Sequence, residues 1–466
     1  MQLPELLLES LRGIKGFDKE AFEKVHASGE QVTSVRINPF KSSVVNRESS
    51  LSEIILDSGL TIHDSRLTTH EKIPWTENGF YLSKRPSFTF DPLFHAGCYY
   101  VQEASSMFLE QALRQTVDLS SPLKILDLCA APGGKSTHIQ SLISKDSLLV
   151  SNDVIRSRAN VLKDNIIKWG CNNVVVTNND PKDFTKLENY FDVIVVDAPC
   201  SGSGLFRRDP DAIDEWSENN VQLCSQRQQR ILADVWPALK QDGILIYSTC
   251  SFSEEEDEEI CKWITDSFSV ERKLLKIEKS WGIVESSGGY RCWPDKVKGE
   301  GFFLACFEKK EGEDALTLRI KAKPEPVNKK DLTVIGKWVR EEGLDFIRHE
   351  NTVYAWPRQH INDFSFLLEQ LHIIYSGILI GKLVRDKLVP DHALAMNSVV
   401  DNSILRTELN YQQSIRYLQR KELDIEIKDK GWQLVTYQKQ SLGWINLLPN
   451  RINNYYPKEL RILKDI

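Results

Sequence analysis

Residues 125–137 read Ile-Leu-Asp-Leu-Cys-Ala-Ala-Pro-Gly-Gly-Lys-Ser-Thr: a short apolar strand, a glycine turn and the start of a helix. Two phosphate-binding loops fail here on spacing. A Walker A loop needs a glycine five residues before the glycine of Gly-Lys-Ser, and Cys129 stands in that place. A dinucleotide fingerprint needs G-x-G-x-x-G, and only Gly133 and Gly134 are present. What remains is a turn that brings backbone close to a ligand, with helix N–H groups aimed at a carboxylate. Asp153 follows 19 residues after Gly134, at the end of the next apolar run, where a carboxylate accepts both hydroxyls of an unphosphorylated ribose. Together they imply an adenosyl ligand. Asp180, after the third run, is placed to hold the adenine amino group, although Asp after a strand is also ordinary turn chemistry.

Outward from this stretch, short apolar runs alternate with helical ones from about Leu123 to Phe307. Strands are expected at Lys124–Leu128, Leu148–Asn152, Val174–Asn178, Asp192–Asp197, Ile244–Ser248 and Phe302–Phe307, and a helix at Val154–Trp169 with Gly170 as its stop. That is the pattern of an open α/β sheet with helices on both faces. Such sheets place their chemistry at the carboxyl ends of the strands. The preceding ~95 residues read as a smaller α+β piece. Glu308–Lys330, where 12 of 23 residues are charged and Pro324 and Pro326 interrupt helix, reads as an interdomain connection. A separate C-terminal region follows, β-rich at its end, with a hairpin over Gln433–Tyr437 and Leu442–Ile445.

The fourth strand runs into Asp197-Ala-Pro-Cys-Ser-Gly-Ser-Gly204 and the fifth into Tyr247-Ser-Thr-Cys-Ser251. A single such cysteine reads as a small core hydrophobe, the reading given to Cys98, Cys171, Cys224, Cys261, Cys292 and Cys306. Two at one sheet edge, beside Asp197, do not. Cys200 and Cys250 are candidate reactive thiols, a thiolate being the soft nucleophile suited to conjugate addition. The acidic run Ser253–Glu259 reads as a helix first turn, with Ser253 and Glu256 as a capping box.

Composition narrows the class. In 466 residues, 41% hydrophobic and 27% charged, the chain is long enough for two or three folded domains. No apolar stretch approaches the ~18 residues of a membrane span, and Met-Gln-Leu-Pro-Glu lacks the character of a secretion signal. Nine cysteines without a Cys-x-x-Cys pair read as reduced thiols of a cytoplasmic protein and leave no zinc ribbon. No metal site is expected. A net charge of −7 excludes indiscriminate coating of nucleic acid. Nucleic-acid contact must be local, and residues 376–466 carry 14 Lys and Arg against 10 Asp and Glu, the basic end of an otherwise acidic chain.

Asp127-Leu-Cys-Ala-Ala-Pro-Gly-Gly-Lys135, Asp197-Ala-Pro-Cys-Ser-Gly-Ser-Gly204 and Ser248-Thr-Cys-Ser251, in that order and followed by Gly301-Phe-Phe-Leu-Ala305, resemble the RNA cytosine-5 methyltransferases of the Fmu/Sun family. Ser34-Val-Arg-Ile-Asn38 is similar to that family's N-terminal element. Gly443-Trp444 with Asn454-Tyr-Tyr-Pro-Lys-Glu-Leu-Arg461 is similar to the RNA-binding tail of the bacterial 16S ribosomal RNA methyltransferase F type. The resemblance implies a Rossmann-like methyltransferase sheet at 96–310. An RNA-binding α+β domain at 1–95 would precede it, and an RNA-binding region at 311–466, with a PUA-like module near 390–466, would follow. It implies S-adenosylmethionine held by Cys129, Ala130, Ala131, Pro132, Gly133, Gly134, Lys135, Asp153, Asp180 and Asp197. Cys250 would be the nucleophile, Cys200 the group that removes the carbon 5 proton, and Asp197 the partner of ring nitrogen 3. The partner would be RNA, 16S or the small subunit, with no membrane and a monomeric enzyme. Transfer RNA as substrate, and a non-catalytic ribosome assembly factor, are the alternatives; intact Cys200, Cys250 and Asp197 count against the second.

Overall fold

The computed structural model describes residues 3–41, 71–312, 320–321, 324–340, 342–425 and 429–465. In chain order its first sheet is built from β1 (Thr33–Ile37), β2 (Glu71–Lys72), β3 (Gly79–Leu82) and β4 (Tyr99–Val101), in the spatial order β2-β3-β1-β4. The second sheet contains β5 (Lys124–Asp127), β6 (Leu148–Asn152), β7 (Val174–Thr177), β8 (Phe191–Asp197) and β9 (Leu239–Thr249) as parallel neighbours in the order β7-β6-β5-β8-β9. The order reverses between β5 and β8, which opens a crevice at the strands' carboxyl ends.

These strands alternate between two cores because successive side chains point to opposite faces. Ile125, Leu149, Val174, Val193 and Ile246 pack one side, with Ile139, Leu162 and Ile166 from the helices Gly134–Leu142 and Arg156–Trp169. Leu126, Val150, Val175, Ile194 and Leu245 pack the other, with Ile231, Leu232 and Ile264 from the helices Glu218–Val235 and Glu258–Ser267. Burial on both faces explains why the strands read as near-continuous apolar runs. The expected helix at Val154–Trp169 begins two residues later, and Gly170 ends it in the left-handed conformation at φ 90°.

Beyond β9 the sheet continues antiparallel through β10 (Val270–Arg272), β11 (Val284–Glu285), β12 (Tyr290–Cys292) and β13 (Phe302–Lys309). The C-terminal region holds β14 (Leu344–His349), β15 (Thr352–Pro357), β16 (Ile373–Ser376), β17 (Ile378–Val384) and β18 (Lys387–Pro390), then β19 (Arg406–Glu408), β20 (Gly431–Tyr437), β21 (Gln440–Leu448) and β22 (Arg451–Asn454). β20 and β21 are the expected hairpin.

This region is less separate than its sequence suggests, because β16 pairs antiparallel with β7 and becomes the far edge of the central sheet. Trp356, Phe364, Phe366 and Leu367 complete that sheet's second core. The connection read at Glu308–Lys330 lies partly outside the described residues, at 313–319 and 322–323.

Ser34–Asn38 is an internal clamp. The Arg36 guanidinium, 1% exposed, donates to Gln102 Oε1 at 2.9 Å and, on the helix after the Gly turn, to Thr137 Oγ1 at 2.6 Å and Gly134 O at 3.2 Å. Asn38 Nδ2 donates to Gly97 O and Trp169 O. Burial pushes Arg36 down to about 9. The N-terminal sheet thus fixes the helix that carries the Gly turn.

Candidate active site

β8 and β9 are paired in register at Asp197 and Ser248, so the residues that follow leave the sheet side by side. Ala198 N donates to Ser248 O at 2.8 Å, and Gly204 N to Cys250 O at 2.8 Å. A Cβ at Gly204 would lie 2.6 Å from Cys250 O, so only glycine permits this approach. Between these two bonds the Cys200 and Cys250 Sγ atoms lie 3.0 Å apart, within S–H···S hydrogen-bond distance, and both side chains are half-buried. The contact with Cys250, then burial, raises Cys200 well above the ordinary thiol range.

Asp197 ends β8 at the same edge. Its Oδ2 lies 2.7 Å from Lys135 Nζ, and its Oδ1 accepts from Ser248 Oγ at 2.9 Å. Burial would lower the Lys135 ammonium, but the Asp197 carboxylate outweighs it and lifts the group above its usual value. Lys135 is thereby held charged between the Gly turn and the thiol loops.

The turn itself is pinned from the next helix. Arg158 Nη2 donates to Ala131 O at 2.7 Å and Asn165 Nδ2 to Pro132 O at 2.8 Å, and Gly133 sits at φ 112°. Cys129 lines the turn half-buried, and burial raises its thiol far from reactivity. Ala130 and Ala131 are buried. Asp153, 3% exposed, directly follows β6; its Oδ1 accepts from Ile155 N at 2.9 Å. Asp180 follows β7, accepts from Lys182 N at 3.1 Å and lies 3.6 Å from Arg230. The crevice is thus acidic at successive strand ends and thiol-bearing at one side.

Three family models match the chain: the N-terminal domain of 16S rRNA methyltransferase RsmF at residues 3–104, 16S rRNA methyltransferase RsmB/F at 115–308, and the methyltransferase RsmF PUA domain at 405–462. Ribosomal RNA small subunit methyltransferase F of Shewanella woodyi is 30% identical over 92% of this chain and 90% of its own. The protein of the same name from Psychromonas ingrahamii is 30% identical over 83% and 85%. The chain belongs to the ribosomal RNA small subunit methyltransferase F family. It is an S-adenosylmethionine-dependent RNA methyltransferase. Among solved structures, a methyltransferase homolog from Pyrococcus horikoshii is 27% identical over 66% of this chain and 95% of its own, at a TM-score of 0.53. NSun6 from Pyrococcus horikoshii with SFG, 19% identical over 66% and 98% at 0.54, shares the fold.

The crevice of this methyltransferase fits that cofactor's chemistry. Asp127 Oδ1, at the root of the Gly turn, is buried without a hydrogen-bond partner among the described residues, an acceptor suited to a cationic group. Asp153, buried at the neighbouring strand end, has the carboxylate that a ribose's hydroxyls would require. Val154 and Ile155, 55% and 49% exposed, follow it directly and offer an apolar surface to a purine.

Sequence reading missed several of these groups. Val154 and Ile155 carry no signal beyond two apolar residues inside an expected helix start. Ser248 belongs to the Ser248-Thr-Cys-Ser251 string, but its bond to Asp197 carries no sequence signal. The capping box is absent: Ser253 makes no side-chain cap, and its Oγ is buried without a partner among the described residues. The Glu256 carboxylate turns instead toward Ser201 and Ser251, because four donors there outbid one backbone N–H. Glu256, Asp257 and Glu258 are all buried, the last two against Arg291, and which partner each carboxylate of an acidic run meets has no periodic signature, so only the fold reveals it.

Proposed function

We propose that the chain methylates carbon 5 of a cytosine in 16S ribosomal RNA of the small subunit, in the cytoplasm, through a covalent bond between Cys250 and the RNA. The observation that carries this reading is the pair of thiols 3.0 Å apart at the ends of two adjacent parallel strands, beside Asp197. The proposed division of labour is an RNA-binding N-terminal domain at 1–95, the catalytic domain at 96–310 and an RNA-binding region at 311–466. Residues 129–135 with Asp153, Asp180 and Asp197 would hold S-adenosylmethionine, which supplies an electrophilic methyl group.

Cytosine carbon 5 is too electron-poor to accept that group unaided. The Cys250 thiolate forms a bond to carbon 6, and the electron pair of the carbon 5–carbon 6 double bond moves toward the ring, making carbon 5 nucleophilic. Ring nitrogen 3 takes up a proton from solvent as the electron pair reaches it and returns it when the double bond re-forms; Asp197, held by Ser248 and Lys135, is placed to accept a hydrogen bond from that N–H and stabilise the adduct. Once carbon 5 is methylated, Cys200 removes its proton, the double bond re-forms and Cys250 leaves as thiolate. The raised Cys200 value suits this order. It rests first on the contact with Cys250, and that sulfur loses its charge when it bonds to carbon, so Cys200 can release its own proton to solvent. A base buried in a helix is out of reach, so the target is extruded or lies in an opened segment.

Tritiated S-adenosylmethionine with 16S RNA, small subunits and transfer RNA tests the reading. Wild type labels 5-methylcytosine in the ribosomal substrates, and Cys250→Ala labels none while binding cofactor normally by calorimetry. Cys200→Ala leaves a protein–RNA adduct on a denaturing gel. Label confined to transfer RNA, or turnover by Cys250→Ala, would overturn the assignment.

A further inference from the structure

Glu256 is completely buried, at 0% exposure, in an acidic run where Asp257 and Glu258 are buried too but are paired with Arg291, whereas Glu256 faces the thiol loops. Its Oε1 accepts from the backbone N–H of Ser201 at 2.8 Å and from Gln228 Nε2 at 3.2 Å. Its Oε2 accepts from the hydroxyls of Ser201 at 2.5 Å and Ser251 at 2.6 Å. Ser201 follows Cys200, and Ser251 follows Cys250. Outside this knot the two loops are joined by Ala198 N to Ser248 O, Gly204 N to Cys250 O and Phe252 N to Ser203 Oγ at 2.9 Å, bonds that flank the thiols, while Gln228 Nε2 holds Pro199 O at 3.1 Å on the approach to Cys200.

We propose that Glu256 is a positioning residue of the reaction: its carboxylate ties the Cys200 loop to the Cys250 loop and fixes the two sulfurs at their working separation. This rests on the roles given to the two cysteines above. All four bonds are donated to the carboxylate, so each loop is held by charge-assisted contacts in a site closed to water. Burial raises the Glu256 carboxyl, and the bonds from Ser201 and Ser251 oppose that rise and favour its anion. The same anion adds to the Cys250 contact and to burial in keeping Cys200 a thiol. Tyr247 OH donates to Glu256 O at 2.6 Å, anchoring the short helical turn that carries the carboxylate to β9.

Two readouts on the full chain test this. One is kcat and KM for the RNA substrate. The other is the rate at which diamide joins Cys200 to Cys250, read by mass spectrometry of the linked peptides. Diamide takes two hydrogens and two electrons from the thiol pair and becomes a hydrazide, so this rate reports how the sulfurs meet and needs no RNA. Glu256→Ala is expected to slow disulfide formation about tenfold and to lower kcat about a hundredfold, with KM within about twofold, since small displacements of reacting groups cost that much. Glu256→Gln recovers most of both, because its amide can face the serine hydroxyls while their oxygens accept. Wild-type values of both rates in Glu256→Ala overturn the proposal, as does a lost kcat with an unchanged disulfide rate. If Glu256→Ala does not fold, the double variant Ser201→Ala with Ser251→Ala cuts the hydroxyl links and is judged by the same two rates. Turnover by Cys250→Ala would overturn the nucleophile assignment alone, since the disulfide rate does not depend on which sulfur attacks.

Discussion

Asp127 makes the Gly turn sensitive to pH. Burial, opposed by the 2.6 Å bond from Ser136 Oγ and by the Lys135 ammonium, pushes its carboxyl up to about 7. An unfolded Asp titrates near ~4. Between those values the folded chain keeps a proton that the unfolded chain has released, so stability is full below the unfolded value and is lost as pH rises toward 7. Asp127→Asn retains an acceptor for Ser136 and abolishes the titration. The wild-type thermal midpoint is expected to fall more steeply than the variant's between pH ~5 and ~8, with the two curves closest at the acid end. Glu300, also pushed up to about 7 chiefly by burial, acts on both proteins equally, so the difference between the curves isolates Asp127. Parallel curves would refute this account.

At the scale of elements, the Gly turn and the two thiol loops meet because strand ends β5, β8 and β9 are neighbours. The turn depends on Gly133, whose φ of 112° is unfavourable for side-chain-bearing residues and whose added Cβ would lie 3.2 Å from Leu162 Cδ1. Gly133→Ala should cost about 1–3 kcal/mol of stability and weaken S-adenosylmethionine binding, checked by thermal unfolding and calorimetry; unchanged affinity would separate the turn from the cofactor. The parallel strands β5 to β9 of the central sheet were legible in the sequence because both their faces are apolar and each strand ends at a polar or glycine residue. The thiol pair was legible because its two Pro-Cys and Thr-Cys strings each follow a strand. Glu256 was not, because its role depends on Ser201 and Gln228, 55 and 28 residues away. Arg36 was quoted as a motif, yet its burial against Thr137 follows from the docking of a second sheet, which no local pattern encodes.

Over the whole molecule, the feature furthest from local signals is β16. Its residues Tyr375 and Ser376 pair with Val176 and Val175, which lie about two hundred residues earlier in the chain, and Gly377 N donates to Val174 O at 3.0 Å. The helix Ile361–Gln370 precedes it and sits on the catalytic sheet. Asp363 Oδ1 accepts from Tyr190 OH at 2.7 Å and lies 2.6 Å from Lys124 Nζ, and Phe364 is fully buried against Trp356 with ring centroids 5.0 Å apart. A C-terminal region built this way cannot swing freely from the methyltransferase sheet: the edge of β7 and the root of β5 are satisfied by it. Phe364→Ala leaves a cavity at this junction and should destabilise the protein by about 3–5 kcal/mol. If the two regions are one cooperative unit, hydrogen exchange at the β7 amides of Val174–Val176 will quicken together with that of β16. Independent units would lose protection in the C-terminal region while β7 kept its own, and in that case the ordering of the crevice would owe nothing to the region beyond residue 320.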